Sequence, residues 1–276
     1  MTINLNGNLM DLSTPKIMGI LNVTPDSFYD GGMFDSNKKI LDHVEKMLTD
    51  GADIIDVGGY SSRPGAKEVK LKDEIKRVVP TIELIKKEFN ETTISVDTFR
   101  SEVALQAVNS GASIINDISG GDLDPNMFNC VAKLNVPYII MHMQGNPKNM
   151  QNNPLYENII VEIIENLSKK VFKATEAGVI DVIIDPGFGF GKTIEHNYKI
   201  LSELSFFKEL DCPILVGLSR KSMIYSVLEE KPENVLNGTT CLNTVSILNG
   251  ANILRVHDVK EAKEVVKLTN FLNKNF

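Results

Sequence analysis

The chain has no tryptophan, only three cysteines and only four histidines in 276 residues. Cys130, Cys212 and Cys241 stand far apart, which excludes a disulfide framework and any zinc-ligand spacing. Each reads as a small core residue in a reducing compartment. No apolar run reaches the roughly 18 residues needed to span a bilayer. The start, Met1-Thr2-Ile3-Asn4-Leu5, lacks the basic and then apolar pattern of a signal peptide. Excess basic charge is missing too. With a net charge of −7 and a pI near 5.2, neither nucleic acid nor an anionic membrane is the expected partner. The expectation is a soluble, cytoplasmic protein whose partners are small molecules, with 42% hydrophobic residues to build a core.

One stretch stands out. Ile183-Ile184-Asp185-Pro186-Gly187-Phe188-Gly189-Phe190-Gly191-Lys192-Thr193 runs from an apolar strand into a carboxylate and then a glycine-rich loop. A phosphate-binding P-loop is excluded, because its first glycine falls on Pro186, which has no amide hydrogen to donate. The dinucleotide pattern G-x-G-x-x-G fails as well, since Lys192 occupies the third glycine position. What is left is a strand ending in an acid, followed by small residues that let a ligand approach the backbone.

Residues 2–12 alternate apolar and polar about Asn6-Gly7, a pair suited to a type I′ turn, and predict a hairpin. From Lys16 onward a unit repeats, each time an apolar strand, a polar loop and an amphipathic helix. The strands are expected at 16–21, 54–57, 93–96, 113–115, 137–141, 182–184, 213–216 and 252–256. Ser36 is placed to cap the first helix, which ends at Gly51. Further helices are expected at 73–89, 101–109, 125–134, 156–177, 195–209, 222–229, 233–249 and 260–272. Strict alternation implies a parallel sheet. Eight units in about 250 residues is the size of a (β/α)8 TIM barrel. A doubly wound open sheet is the rival, but polar residues cluster after nearly every strand rather than at one crossover. No Pro-, Gly- or Ser-rich linker divides the chain, so residues 1–276 read as a single α/β domain, with hairpin 1–14 at the bottom of the barrel.

In such barrels the active site lies at the carboxyl ends of the strands. Those positions hold Asn22, Asp56 with Ser61-Ser62-Arg63, Asp97, Asn116-Asp117, His142, Asp185, Lys221, and Arg255 with His257. Asp117, Ser61 and His142 read equally well as structural. Asp97, Asn116 and Asp185 suit a planar, nitrogen-rich ring with several N–H groups, and the two carboxylates would stabilise positive charge developing on it. Arg63, Lys221, Arg255 and His257 suit an anion, and the segments after the seventh and eighth strands are where barrels often hold phosphate. No His or Cys cluster stands at metal-ligand spacing. A Mg²⁺ shared with diphosphate would need only an oxygen or two, such as that of Asn22. Lys221 could form a Schiff base, but its neighbour Arg220 favours a charge role.

The segments Met18-Gly19-Ile20-Leu21-Asn22-Val23-Thr24-Pro25-Asp26-Ser27-Phe28 and Gly58-Gly59-Tyr60-Ser61-Ser62-Arg63-Pro64-Gly65-Ala66 resemble the two signatures of the dihydropteroate synthase family. The likeness continues through Ser95-Val96-Asp97-Thr98, Asn116-Asp117-Ile118-Ser119-Gly120-Gly121, the glycine-rich stretch, Gly217-Leu218-Ser219-Arg220-Lys221-Ser222 and Arg255-Val256-His257-Asp258. It covers the whole chain in order. The common family form has Glu-Ser-Thr where this chain has Tyr60-Ser61-Ser62, so a hydroxyl is kept and a carboxylate is lost.

The resemblance implies condensation of (7,8-dihydropterin-6-yl)methyl diphosphate with para-aminobenzoate, giving 7,8-dihydropteroate in folate biosynthesis. It implies that Asp97, Asn116, Asp185, Lys221 and Arg255 hold the pterin, with Asp97, Asp185 and Lys221 in catalytic roles. Asn22, Ser62, Arg63, Arg255 and His257 would surround the diphosphate, Asn22 as the Mg²⁺ ligand. Ser62, Arg63, Pro64, Phe190, Lys221 and Ser222 would border para-aminobenzoate, and the protein would be a homodimer. Two other readings are a methyltransferase that binds methyltetrahydrofolate in a similar barrel, and a non-catalytic pterin carrier.

Overall fold

The computed structural model describes residues 1–5, 7–23, 33–60, 69–145, 150 and 154–275. Strands β1 (Thr2–Leu5) and β2 (Asn8–Asp11) pair antiparallel, as the alternation predicts, while Asn6 of the expected turn lies outside the described residues. The central sheet comprises β3 (Lys16–Asn22), β4 (Ile54–Gly58), β5 (Ile94–Asp97), β6 (Ile114–Asp117), β7 (Tyr138–Met141), β8 (Val182–Asp185), β9 (Leu215–Val216) and β10 (Ile253–Val256). All neighbouring pairs are parallel, in the order β8-β7-β6-β5-β4-β3-β10-β9. A parallel bridge between Ile184 and Ile214 joins the two ends of that order, so the sheet curls into a barrel.

Helices α1 (Met33–Asp50), α2 (Leu71–Glu88), α3 (Ser101–Asn109), α4 (Met127–Leu134), α5 (Ile159–Glu176), α6 (Ile194–Ser202), α7 (Ser222–Tyr225), α8 (Leu236–Leu248) and α9 (Val259–Asn275) alternate with these strands. Their apolar faces, such as Ile40, Val44 and Met47 on α1 and Val78, Ile82 and Ile85 on α2, pack on the outward strand residues. Helix α1 begins at Met33, so Ser36 lies inside its first turns and is buried, not at the cap. Capping preference is a local effect that burial of an amphipathic face overrides. The helix expected over 195–209 breaks after Ser202, whose hydroxyl donates to the Lys199 carbonyl, and continues as a 3-10 segment, Leu204–Leu210. The piece expected over 222–229 is helical only as α7. Cys130 and Cys212 are half-buried, whereas Cys241 on α8 is exposed and not a core residue.

Two residues separate successive positions on one face of a strand. Met18, Ile54, Ile114, Ile139, Ile183, Leu215 and Ile253 share one buried cluster with Ile3, Leu5 and Leu12. The hairpin therefore closes the amino-terminal end of the barrel with its own apolar side chains, and Asn4 N–H donates to Asp181 there at 2.9 Å. Two residues further along the same faces stand Ile20, Asp56, Asn116, Met141, Asp185, Gly217 and Arg255. An apolar layer thus supports a largely polar one. Replacing Ile183 by Ala should lower stability by about 2–5 kcal/mol through the cavity it leaves, read as a lower urea midpoint with an unchanged slope.

Candidate active site

A cavity of about 790 Å³ opens over the carboxyl ends of the strands, bordered by Asn22, Tyr60, Asp97, Phe190, Lys221 and Arg255 among others. Ser222 and His257 also reach it, His257 as an exposed side chain at the rim. Ser61, Ser62, Arg63 and Pro64 lie outside the described residues. Every other candidate site residue is gathered at this one end of the barrel.

Arg255 organises the near side. Its Nε donates to Asp56 Oδ2 at 2.6 Å and its Nη2 to Asp97 Oδ2 at 2.7 Å. Asn116 Nδ2 donates to the same Asp56 oxygen at 3.1 Å. Asp56 and Arg255 are brought together by the parallel pairing of β10 with β3 and of β3 with β4. Burial pushes the Asp97 carboxyl up to about 7, against the pull of Arg255 and with help from Asp56. The Asp56 position was legible as a strand end, but its part in this arrangement was not, because strand register is invisible in sequence.

Across the mouth, Asp185 is buried and accepts the Gly187 amide at 2.7 Å. Burial raises its pKa, while Lys221, Gly187 and Lys192 act to lower it. Lys221 lies with its Nζ 2.5 Å from the Phe188 carbonyl and 4.8 Å from the centre of the Phe190 ring. Burial lowers its pKa to about 8, against the favourable charge of Asp185. A lysine shared between a carboxylate and an aromatic face suits a charge role.

Behind Asp185 lies a pair that sequence reasoning did not assign. The Lys192 Nζ stands 3.0 Å from His142 Nδ1 and donates to the Phe190 carbonyl at 3.0 Å. Burial, with Lys192 beside it, lowers His142 to about 2, so the imidazole is neutral and free to accept from the lysine. Burial brings Lys192 itself down to about 7. The same contact explains one glycine: a Cβ on Gly187, at φ +75°, would fall 1.9 Å from the His142 carbonyl oxygen. His142 and Lys192 therefore hold the loop after β7 against the loop after β8.

Asp117 is structural. Its Oδ1 accepts Ser119 N–H and Oγ, both at 2.7 Å, and its Oδ2 accepts Gly121 N–H at 2.8 Å and Tyr138 O–H at 2.6 Å. It folds the turn after β6 and has no group left for a ligand. Arg220 is likewise committed, with two bonds to Asp258 at 2.8 and 2.9 Å and two to the Pro232 and Glu233 carbonyls. Tyr60 puts its ring 5.2 Å from Phe99 in an edge-on contact. The Arg100 guanidinium lies over both rings and pairs with buried Glu74 at 2.6 Å. An aromatic wall thus stands where the common form of the second signature carries a carboxylate.

The carboxyl end of the barrel thus gathers the acceptors Asp97, Asn116 and Asp185 beside the cations Lys221 and Arg255. The model of the family described as pterin binding enzyme matches residues 18–257. Dihydropteroate synthase of Escherichia coli K12 is 44% identical over 264 residues, spanning 95% of this chain and 93% of that protein. The Haemophilus influenzae enzyme is 44% identical over 97% of this chain and 98% of its own length. The solved Yersinia pestis dihydropteroate synthase, in complex with a sulfonamide drug, superposes with a TM-score of 0.93 at 39% identity, covering 100% of both chains. The Xanthomonas albilineans enzyme with 4-aminobenzoic acid gives 0.91 at 37%, covering 99% of this chain and 98% of that one. The chain belongs to the pterin binding enzyme family and, within it, to the dihydropteroate synthases.

Because Lys192 is held with a lowered pKa, the folded protein releases that proton before the unfolded chain does. Unfolding then takes up a proton between about 7 and the ordinary lysine value of 10.5, so stability gains with rising pH across that window and loses the gain below it. Denaturation curves should show wild type gaining on Lys192→Met from pH 7.5 to pH 9.5. A constant difference would contradict the assignment.

Proposed function

We propose that this transferase condenses (7,8-dihydropterin-6-yl)methyl diphosphate with para-aminobenzoate to give 7,8-dihydropteroate and diphosphate. The observation that supports this most strongly is that Asp97, Lys221 and Arg255 line one cavity, with buried Asn116 and Asp185 at the ends of β6 and β8 beside them, in a chain of this family. Asp185 and Asn116 accept hydrogen bonds from the pterin, Lys221 meets its polar edge, and Arg255 flanks the ring. Asn22, Arg255 and His257 face the diphosphate, together with Ser62 and Arg63. Phe190, Ser222 and Lys221 border para-aminobenzoate, together with Ser62, Arg63 and Pro64.

The methylene–oxygen bond breaks first, since the electron-rich ring delocalises the resulting cation. Asp97 and Asp185 stabilise that charge from fixed positions in a dry site. The aryl amine then attacks the methylene carbon, a C–N bond forms, and the surplus proton leaves to diphosphate or solvent. No strong general base is required. Lys221, with its pKa already lowered, balances Asp185 before the cation forms.

The donor set fits a Mg²⁺ bound mainly through substrate. At Gly58, where no side chain intervenes, Asn22 Oδ1 and Asp97 Oδ2 both lie within 3.7 Å of the position a Cβ would take. These are hard oxygens, and among the described residues no three His, Cys, Asp or Glu side chains gather as a self-sufficient cage. A Mg²⁺ ion keeps several waters and accepts phosphate oxygens as ligands. Asn22 would hold it, and when bound it supplies charge neutralisation for the leaving diphosphate. The whole chain acts as one domain, in the cytoplasm and as a homodimer.

Incubation with pterin diphosphate, para-aminobenzoate and Mg²⁺ should yield dihydropteroate. Methyl transfer from methyltetrahydrofolate, or pterin binding without product, would replace this reading. Asp185→Asn should weaken pterin binding by about 2–4 kcal/mol, the scale of a lost charge-assisted pair, and unchanged affinity by calorimetry would sink that assignment. Arg255→Ala should weaken the diphosphate substrate more than the free pterin; equal losses would count against the anion role.

A further inference from the structure

Arg220 takes φ +55°, in the left-handed region that a residue with a Cβ disfavours. Asn135 and Asp211 share that conformation, but each follows the end of a helical segment, where a left-handed residue is common. Arg220 follows no helix. It lies in the turn between β9 and α7, immediately before Lys221. The conformation is held by its own hydrogen bonds. Its guanidinium meets Asp258 Oδ2 at 2.9 Å and Oδ1 at 2.8 Å, and donates to the Pro232 and Glu233 carbonyls at 2.9 and 2.7 Å. Its backbone N–H donates to Thr239 Oγ1 at 3.2 Å.

The residues on either side show what the turn carries. Ser219 Oγ accepts the His257 N–H at 3.3 Å, and the Lys221 N–H donates to the Leu218 carbonyl at 3.1 Å. Asp258 comes directly after His257, on the segment that follows β10, and β10 is the sheet neighbour of β9. The turn is thus stitched to the next loop round the barrel. Lys221 leaves it with its ammonium group at the Phe188 carbonyl and over the Phe190 ring. A negative φ at residue 220 would redirect the backbone at Lys221 and draw that ammonium group away from both.

We propose that Arg220 is a positioning residue: its pairing with Asp258 holds the left-handed turn that aims Lys221 into the cavity. This rests on the pterin role proposed for Lys221. Two substitutions separate such a role from an ion pair that serves stability alone. Arg220→Ala and Arg220→Gly lose the guanidinium alike, but glycine takes positive φ without a Cβ penalty. An aim set through the backbone therefore survives in Arg220→Gly and is lost in Arg220→Ala.

The test is the pH dependence of Lys221 acetylation by acetic anhydride in the folded protein, followed by mass spectrometry of the peptide that carries it. In the wild type, burial brings this amine down to about 8, with Asp185 and Asp97 opposing the fall and Arg255 adding to it. Arg220→Ala should move the midpoint up towards the ordinary lysine value of 10.5, as the amine swings into water. Arg220→Gly should keep the wild-type midpoint. An unmoved midpoint in Arg220→Ala would overturn the proposal, because the ion pair then serves stability alone. Equal displacement in both variants would overturn it too, because the turn is then not what aims the lysine. So would a wild-type midpoint near 10.5, since Lys221 is then not held in the cavity. If Arg220→Ala does not fold, Asp258→Ala decides, because it removes the partner and leaves the arginine in its disfavoured turn. The midpoint should rise in that variant and return when Arg220→Gly is added, and an unmoved midpoint in Asp258→Ala refutes the role. These measurements need no substrate, so a failed synthase assay with the midpoints displaced as expected would remove the proposed reaction and leave this role standing.

Discussion

Arg255 lies between the buried carboxylate of Asp56 and the half-buried one of Asp97, and much of the mouth of the barrel depends on that contact. It ties β10 to β4 and β5, so the site exists only when the chain ends have met. Within the same layer Asp185 is balanced by Lys221 and Lys192. Three acids and three bases therefore stand together at the carboxyl end of the barrel. Burying such groups is unfavourable unless each is paired. The pairing found here leaves charges that are fixed in position, which is the property required to stabilise a cation formed on a bound ring.

The glycine-rich loop reads differently beside that pairing. It has the look of a phosphate cradle, but its glycines have other uses. Gly187 lets the chain pass against the His142 carbonyl, and its amide is committed to Asp185. Gly189 takes φ +80° and its amide donates to Asn197 Oδ1 at 2.7 Å. Lys192, in the place of a phosphate-loop lysine, turns inward to His142 and Phe190. The loop fixes Asp185 on one side and places Phe190 on the other, at the cavity.

Most of the architecture was legible because a parallel barrel repeats one simple unit. Apolar strands, helices of period 3.6 and glycine stops located the elements, and the residues at the strand ends, Asp56, Asn116, Asp185 and Arg255 among them, marked the mouth. Three kinds of feature were hidden. Register across the closed sheet was one, and it concealed that Asp56 serves Arg255 and Asn116 together. The second was the satisfaction of buried polar groups: Asp117 resembles a site residue by type and position, yet Ser119, Gly121 and Tyr138 occupy it. The third was what sets helix ends: local competition from the Ser202 hydroxyl where α6 stops, and burial of the apolar face of α1, which put Ser36 in its interior. The Lys192–His142 pair left only a faint trace, a lone lysine closing a glycine run.

The position of the anion separates a pterin diphosphate site from a phosphate cradle. A crystal structure with a non-hydrolysable methylene-diphosphonate analogue of the pterin substrate and Mg²⁺ would test it most directly. The predicted result has the ring edge on Asp185 and Asn116 and the diphosphonate beside Asn22, Arg255 and His257. Diphosphonate seated instead on the amides of residues 187–192, with the ring away from Asp185, would contradict it.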